Sequence, residues 1–467
     1  MSRRRNAGRP RGWRDQRRAS APAHQKSEPG RELFANPADD SEMWAWISYK
    51  TFMTVSTRNS TSGLSPGLLR CIEIHEEVLR PYPNSVITHY NLGDLYWVAA
   101  RLEDAMGEYE MALRLAPRLG GAHTRVAICL LGLGEVELAK SRLERACRMP
   151  HLTSGNEMLI AEAHILLGHH HEGWRLTWLL ARHQPNRMAE IVARHVRGPL
   201  WDGRPLDGPL LIAGCDGYGD EIMLARYVPQ ARRRVRSLTI LVSDPLVPLF
   251  RGQFEGVTVM GRSAPPDPRQ FPSWLPMMCL PSQIGIQRAK DIPLTPYLHA
   301  PGSFRPLAGA FKVGIRWAGD PGNAHDLMRS THLTQWVDLL SVHGATFYSF
   351  QFQAAAAQLR EPVGAEIVDL VPDLGDWGQT AAALSQMDLV IAVDCSLAHL
   401  AGALNLPVWI PLQAAVEWRW GLESPTTPWY PSARLFRQRR VNEWEPVFSQ
   451  MAAELRELVA RRRVEAA

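Results

Sequence analysis

Several features are missing from this chain, and each absence narrows what it can be. Its six cysteines (Cys71, Cys129, Cys147, Cys215, Cys279 and Cys395) never form a C-x-x-C pair. That scatter argues against a disulfide framework or a structural zinc site and suits a reducing cytoplasm, where we expect the protein to reside. No apolar core follows the arginines near the amino terminus, so no secretory signal is expected. The apolar run around residues 389–412 is interrupted by Asp394, His399 and Pro407, which leaves no transmembrane segment. Asp-x-Asp occurs nowhere, so a metal-bridged phosphate site has no support, and neither a metal nor a resident cofactor is expected. Excess charge is also confined: residues 1–40 hold ten basic and five acidic side chains, a surplus equal to the net +5 of the whole chain. The Arg-, Pro- and Gly-rich segment 1–40 reads as a disordered, solvated tail, the alternatives being contact with anionic lipid or RNA, a transit-like segment, or a true start at Met43. The balanced remainder argues against specific nucleic-acid binding.

What is present is enough for about three domains: 467 residues, 45% apolar and 21% charged. An offset of 34 residues aligns Cys71, Ala105, Ala139 and Gly173, then Leu92, Val126 and Ile160, then Gly93, Ala127 and Ala161. Small residues at fixed spacing let paired helices approach, and larger apolar ones fill the seam, so each unit buries its face on its neighbour. This is the tetratricopeptide period. We read about three and a half helical hairpins over residues 41–190, best at 86–119 and degenerate in the third, with a concave groove able to present a protein or glycan acceptor.

From Trp201 short β-branched runs alternate with helical stretches, which implies parallel sheets covered on both faces. Strands are expected at 210–214, 238–243, 312–317, 346–350, 367–369, 389–393 and 408–410, with a helix from Glu221 to Arg236. The Pro-rich segment from Pro293 to Pro306 reads as a hinge between two α/β halves, 191–305 and 306–467. The expected fold class is thus α plus α/β, a helical-hairpin array followed by two Rossmann-like domains facing a cleft.

Three loops at strand ends would face that cleft. In the first, Gly217 and Gly219 permit close backbone approach and Asp220 places a carboxylate at a helix start. The second begins at Trp317 and Gly319, which are expected to bind the nucleotide sugar with the glycines of the first loop, and carries Arg329, a bidentate partner for a diphosphate or a surface arginine on a turn. The third, Asp394-Cys395-Ser396, joins an apolar strand to an Ala/Leu-rich helix bearing His399. Unpaired amides and the helix dipole there favour phosphate. The plainer alternatives stay open: Asp220, Asp394 or Ser396 merely caps a helix, and His399 merely packs beneath one.

Five ordered segments together resemble a known family: 199–208, 217–220 with 225–227, 313–319 with 329–330, 388–399, and 428–432 with 435–438. The chain is similar there to bacterial tetratricopeptide proteins whose C-terminal region looks like the ADP-heptose:lipopolysaccharide heptosyltransferases of glycosyltransferase family 9, which have the GT-B fold. The resemblance implies a nucleotide diphosphate sugar as co-substrate, with Asp220 as general base on an acceptor hydroxyl. It implies donor binding by Asp394, Ser396 and His399, with Arg329 as the matching cation and Cys395 supplying a backbone amide. Departures accompany it, since Cys215-Asp216 and Cys395-Ser396 stand where relatives commonly carry Glu-Gln and Thr-Ala or Thr-Gly. The alternative is a non-catalytic repeat scaffold that binds a nucleotide or partner; a nucleotide-sugar epimerase gains less from a repeat domain.

Overall fold

The computed structural model describes residues 58–59, 63–149, 157–183, 198–215 and 217–466. The tail read at 1–40, the first residues of the repeat region and Asp216 lie outside them. A two-residue antiparallel ladder, Arg58–Asn59 against Gly63–Leu64, precedes a run of helices. They are α1 (Pro66–Leu79), α2 (Val86–Val98), α3 (Leu102–Leu115), α4 (Gly120–Gly132), α5 (Val136–Cys147), α6 (Glu157–Leu166) and α7 (His170–His183). Neighbours in sequence pack as hairpins. The sequence period returns as helix starts, since α2 to α4, α3 to α5 and α5 to α7 are each 34 residues apart. Ser65 and Ser85 cap α1 and α2, accepting from the amides of Leu68 and Thr88. Ala105, Tyr109 and Ala112 of α3, and Ala139, Leu143 and Ala146 of α5, are wholly buried. Gly93 admits the Tyr109 ring, which a Cβ there would meet at 2.7 Å.

Helices α2 and α4 have no solvent face: α2 is buried from Thr88 to Val98 and α4 almost throughout. A helix buried on all sides lies between two layers. One layer is α3 and α5; the other is the chain's own α/β region. Trp97 meets His325 edge-on with ring centres 4.5 Å apart. The Val441 amide donates to Gly132 O at 2.8 Å, and Arg440 Nε donates to Leu133 O at 3.0 Å. The inner face expected to present an acceptor is therefore covered. Its apolar texture served intramolecular packing.

The first sheet holds β1 (Leu206–Ala213), β2 (Val235–Val242), β3 (Val257–Gly261) and β4 (Ser273–Pro276), in the order β3-β2-β1-β4. The second holds β5 (Lys312–Arg316), β6 (Thr346–Ser349), β7 (Ile367–Asp369), β8 (Leu389–Ala392), β9 (Val408–Leu412) and β10 (Ala433–Arg437), in the order β10-β9-β8-β5-β6-β7. Every pairing in both is parallel. Counted from its own first strand, the second sheet runs 3-2-1-4-5-6, the order of dinucleotide-binding sheets, and the first runs 3-2-1-4. Strand order reverses between β1 and β4 and between β5 and β8. Loops leaving the carboxyl ends there part to opposite faces and open a crevice.

The structure departs from the sequence reading in places. The single helix expected over Glu221 to Arg236 is α8 (Tyr218–Leu224), a 3-10 turn and α9 (Val228–Arg232), because Pro229 suits a first turn and breaks a helix interior. Strands β3, β4 and β10 were not anticipated; β3 is only partly buried, and β4 has four residues ending in proline. The supposed hinge is tied to the second half, where the Tyr297 and Leu298 amides donate to Ala403 O. Among the described residues no helix is long and apolar enough to cross a membrane.

Two further helices frame the cleft, α10 (Trp377–Leu384) and α11 (Ser396–Ala403), while the C-terminal α12 (Glu445–Ala466) packs against β10 and the helical turns at 333–340. Helix α8 of the first half packs on α11 of the second. Buried Arg226 pins the halves, donating to Met223 O at 2.9 Å and Trp429 O at 2.8 Å, with its guanidinium 4.9 Å from the centre of the Tyr430 ring. Gly402 makes room for that same ring. Gly402→Ala is therefore expected to cost about 1–3 kcal/mol by overpacking. Gly107→Ala, in an exposed part of α3 with nothing near the added methyl, should instead gain roughly 0.5–1 kcal/mol. Denaturant unfolding of both variants checks the pair.

Candidate functional site

The loops from both reversal points converge on one cavity of about 670 Å³. Gly217 to Asp220 arrive from the end of β1. Arg316, Asp320, Asn323 and Arg329 come from β5 and its loop, Asp394, Cys395, Ser396 and His399 from the end of β8, and Glu417 and Arg419 from the segment after β9. Of the residues singled out in the sequence, Gly217, Gly219, Asp220, Arg329, Asp394, Cys395, Ser396 and His399 line this cavity.

Trp317 does not line it. Its side chain is fully buried, and its amide, with that of Ala318, donates to Gln351 Oε1 at 3.1 and 2.9 Å. It anchors the loop from below, as a large apolar ring on the residue after a buried strand must. The glycines also act differently from expectation, since their missing side chains make room for the protein's own groups. A Cβ on Gly219 would stand 2.7 Å from the His399 ring, one on Gly319 2.7 Å from Arg329 Nη2, and one on Gly217 2.9 Å from Asp220 Oδ2. Gly319 is further fixed by Ser330 Oγ, which accepts from its amide at 2.8 Å and donates to Asp326 Oδ1 at 2.5 Å.

At the third loop, Cys395 is extended and α11 begins at Ser396, so the Ser396 and Leu397 amides have no intrahelical acceptor. Among the described residues no side chain caps this helix. The simple capping role left open for Asp394 and Ser396 is thus not what they do. His399 is buried, stacks on Trp420 with ring centres 5.4 Å apart, and has Nδ1 2.8 Å from the Tyr430 hydroxyl. Burial, with Arg419 nearby, holds it well below the usual histidine range, so the ring is neutral.

The strongest interaction in the cavity was not foreseen. Arg419 pairs through Nη2 with Asp220 and through Nη1 with Glu417, and its guanidinium lies 4.4 Å from the Trp418 ring centre. The signal was available: Glu417-Trp-Arg-Trp420 sets a charged pair among aromatics just beyond the carboxyl end of β9. Burial pushes Asp394 up to about 6, with Glu417 adding to the rise and Arg329 and Arg419 opposing it. Glu417 goes the other way. Burial would raise it, but Arg419, His325 and Arg329 outweigh that and hold it near 2. The repeat region reaches this network too. Partly buried Glu162 of α6 is raised to about 7 by desolvation and by Glu417, and His325, which meets Trp97 of α2, lies 3.8 Å from Glu417.

Beneath the first loop, buried Glu221 accepts from the Ser243 amide at 2.9 Å and from Arg262 at 2.6 Å. Arg262, the residue after β3, also donates to Cys215 O, tying the ends of β1 and β3 together.

No family model matches the chain. It is similar to Protein FlbA of Caulobacter vibrioides (strain ATCC 19089 / CIP 103742 / CB 15), 29% identical over 429 residues, covering 83% of this chain and 70% of that protein. Among solved structures it is similar to E. coli ADP-heptose lps heptosyltransferase II at 16% identity, over 55% of this chain and 99% of that one, TM-score 0.37. It is similar to a glycosyl transferase family 9 structure from Veillonella parvula DSM 2008 at 11% identity, over 57% and 100%, TM-score 0.38. It is also similar to a mutant of Thermobaculum terrenum O-GlcNAc transferase at 13% identity, over 90% and 93%, TM-score 0.32. At these TM-scores the assignment of fold rests on strand order and loop geometry.

Burial sets a pH dependence. Glu221 is pushed up to about 7, above its ordinary 4.5, mainly by desolvation. The folded state then binds the extra proton between those values, so the stability tied to this group is complete below about pH 4.5 and declines as pH rises to about 7. Asp394 and Glu162 act in the same direction. Glu221→Gln should flatten the decline by up to roughly 1.4 kcal/mol per pH unit, read from denaturant unfolding at stepped pH.

Proposed function

We propose that the protein is a metal-independent glycosyltransferase that moves a sugar from a nucleotide diphosphate sugar to an acceptor hydroxyl. The observation that carries this reading is the meeting of Asp220, from the reversal point of one parallel sheet, with Arg329 and the open amides of α11, from that of the other. In this reading residues 191–305 form the acceptor side and 306–467 the nucleotide side of a GT-B pair, preceded by tetratricopeptide hairpins over 41–190, all acting in the cytoplasm. Independence from metal is supported by the lack of Asp-x-Asp and by four cavity arginines, Arg262, Arg316, Arg329 and Arg419.

The acceptor oxygen attacks the anomeric carbon while Asp220 takes its proton. The bond from that carbon to the diphosphate oxygen breaks, and the electron pair leaves with the nucleoside diphosphate. Its growing charge is met by Arg329 and by the Ser396 and Leu397 amides. Asp394 serves donor hydroxyls or the turn, since a carboxylate beside a phosphate is repelled. With α2 and α4 covered, a protein or glycan acceptor reaches the cleft at its mouth, and the repeats brace the site. A second reading, a scaffold that binds a nucleotide without transfer, draws on the ion pair that engages Asp220.

Asp220→Asn should lower sugar transfer by about 10²–10⁴-fold while the unfolding midpoint stays near that of the parent, with mass spectrometry of acceptor extracts incubated with nucleotide sugars as the readout. Undiminished turnover removes Asp220 as the base. Donor binding with neither transfer nor donor hydrolysis favours the scaffold.

A further inference from the structure

The cavity is close to electrically balanced before a donor arrives. Four arginines, at 262, 316, 329 and 419, face five carboxylates, at 220, 244, 320, 394 and 417. A nucleoside diphosphate adds further negative charge, so one arginine must change partners for it to bind well. Two are tied to the chain itself, and Arg329 is already assigned to the diphosphate. Arg262 holds buried Glu221 and the carbonyl of Cys215, Arg316 Nε donates to Ala318 O at 3.2 Å, and Arg329 fills the recess at Gly319 with Nε 3.7 Å from Asp326. Arg419 differs. Its two terminal nitrogens are divided between Glu417, two residues away, and Asp220, from the other half of the molecule.

Resting on the donor reading above, we propose that Arg419 is handed from Asp220 to the donor diphosphate. Glu417 and the face of Trp418 keep the guanidinium in place through the exchange, so only the Nη2 partner changes. Two consequences follow from one movement. The diphosphate gains a second arginine beside Arg329, and Asp220 is released to accept the acceptor's proton. An acceptor arriving first meets a base already engaged. Binding is therefore ordered, donor before acceptor, and the exchange occurs between fixed groups.

The test is a binding cycle on the full-length protein, using ADP, GDP, UDP and CDP as probes in calorimetry. Removing the competing carboxylate with Asp220→Asn should tighten the preferred nucleoside diphosphate by about tenfold, an effect opposite to that of damage to the site. Arg419→Gln should weaken it by about 30-fold or more, and Arg419→Lys, which keeps the charge but loses the fork, by less. In the Arg419→Gln background, Asp220→Asn should change affinity by less than about twofold, because the arginine it competes for is gone. Unchanged or weaker binding by Asp220→Asn overturns the exchange and leaves the donor reading standing. Tightening that persists without Arg419 also overturns it, as plain charge repulsion. If none of the four nucleotides binds the parent protein, the donor reading falls and the exchange with it.

Discussion

A seven-residue helix from one sheet and an eight-residue helix from another can meet at their backbones only where side chains are missing, and that constraint sets the geometry of the cleft. Helix α8 follows β1 and α11 follows β8, so bringing them together brings both carboxyl-end crevices to one place. Gly219 lets α8 rest on His399, and Gly402 lets the far side of α11 receive Tyr430. Arg226 then threads from the first half to the carbonyl of Trp429 and lies over the rings around it. Losing such a buried donor leaves acceptors unpaired, at about 1–3 kcal/mol each, so the halves hold a narrow range of relative positions.

Within that frame the arrangement of charge is costly. Desolvating several arginines and carboxylates together seldom stabilises a fold relative to apolar packing of the same volume, with differences of about 1–4 kcal/mol in favour of the apolar version. The first and second halves could have been joined more cheaply by apolar side chains. Instead Asp220, Glu417 and Arg419 meet in a cavity open to a ligand, with Asp394 pushed up and Glu417 held down within the same small volume. Neighbouring carboxylates driven to opposite protonation behaviour are expected where charge must be received and passed on.

Much of this could be read from the residues alone, for definable reasons. The strands at 312–316, 346–349, 389–392 and 408–412 are largely buried apolar runs, and burial on both faces writes itself into sequence as hydrophobic continuity. Strand β3, only partly buried, leaves no such trace, and β4 is short and ends in proline. Asp220 and the 394–396 loop were legible because a polar turn interrupts an apolar strand and a helical run. Arg419 was harder, since it lies in a single 3-10 turn, Trp418–Trp420, and its partner Asp220 is 199 residues away. Trp317 was placed in the cavity by its position after a strand, but sequence alone does not tell which face an indole takes. The closed face of the repeats was not legible, because α2 carries Thr88, Asn91 and Asp94 at three-residue spacing, a polar row that reads as bordering a groove and is in fact buried.

That closure gives the repeat region its physical role at the site. Helix α6 abuts the Trp418–Trp420 turn, and Trp174 of α7 meets the Trp418 and Trp429 rings edge-on at 5.5 and 6.2 Å. Trp97 supports His325, and Arg125 of α4 lies 4.7 Å from the Trp97 ring centre and pairs with Asp94 of α2 at 2.9 Å. The two loops that hold the cavity's least expected charges, 318–330 and 413–421, thus rest on helices rather than on solvent. A loop braced in this way places its charges with less reorganisation when a ligand arrives, which is where electrostatic preorganisation gains its effect. The hairpins and the α/β halves therefore form one functional unit, because the segment that carries Glu417 and Arg419 packs on both.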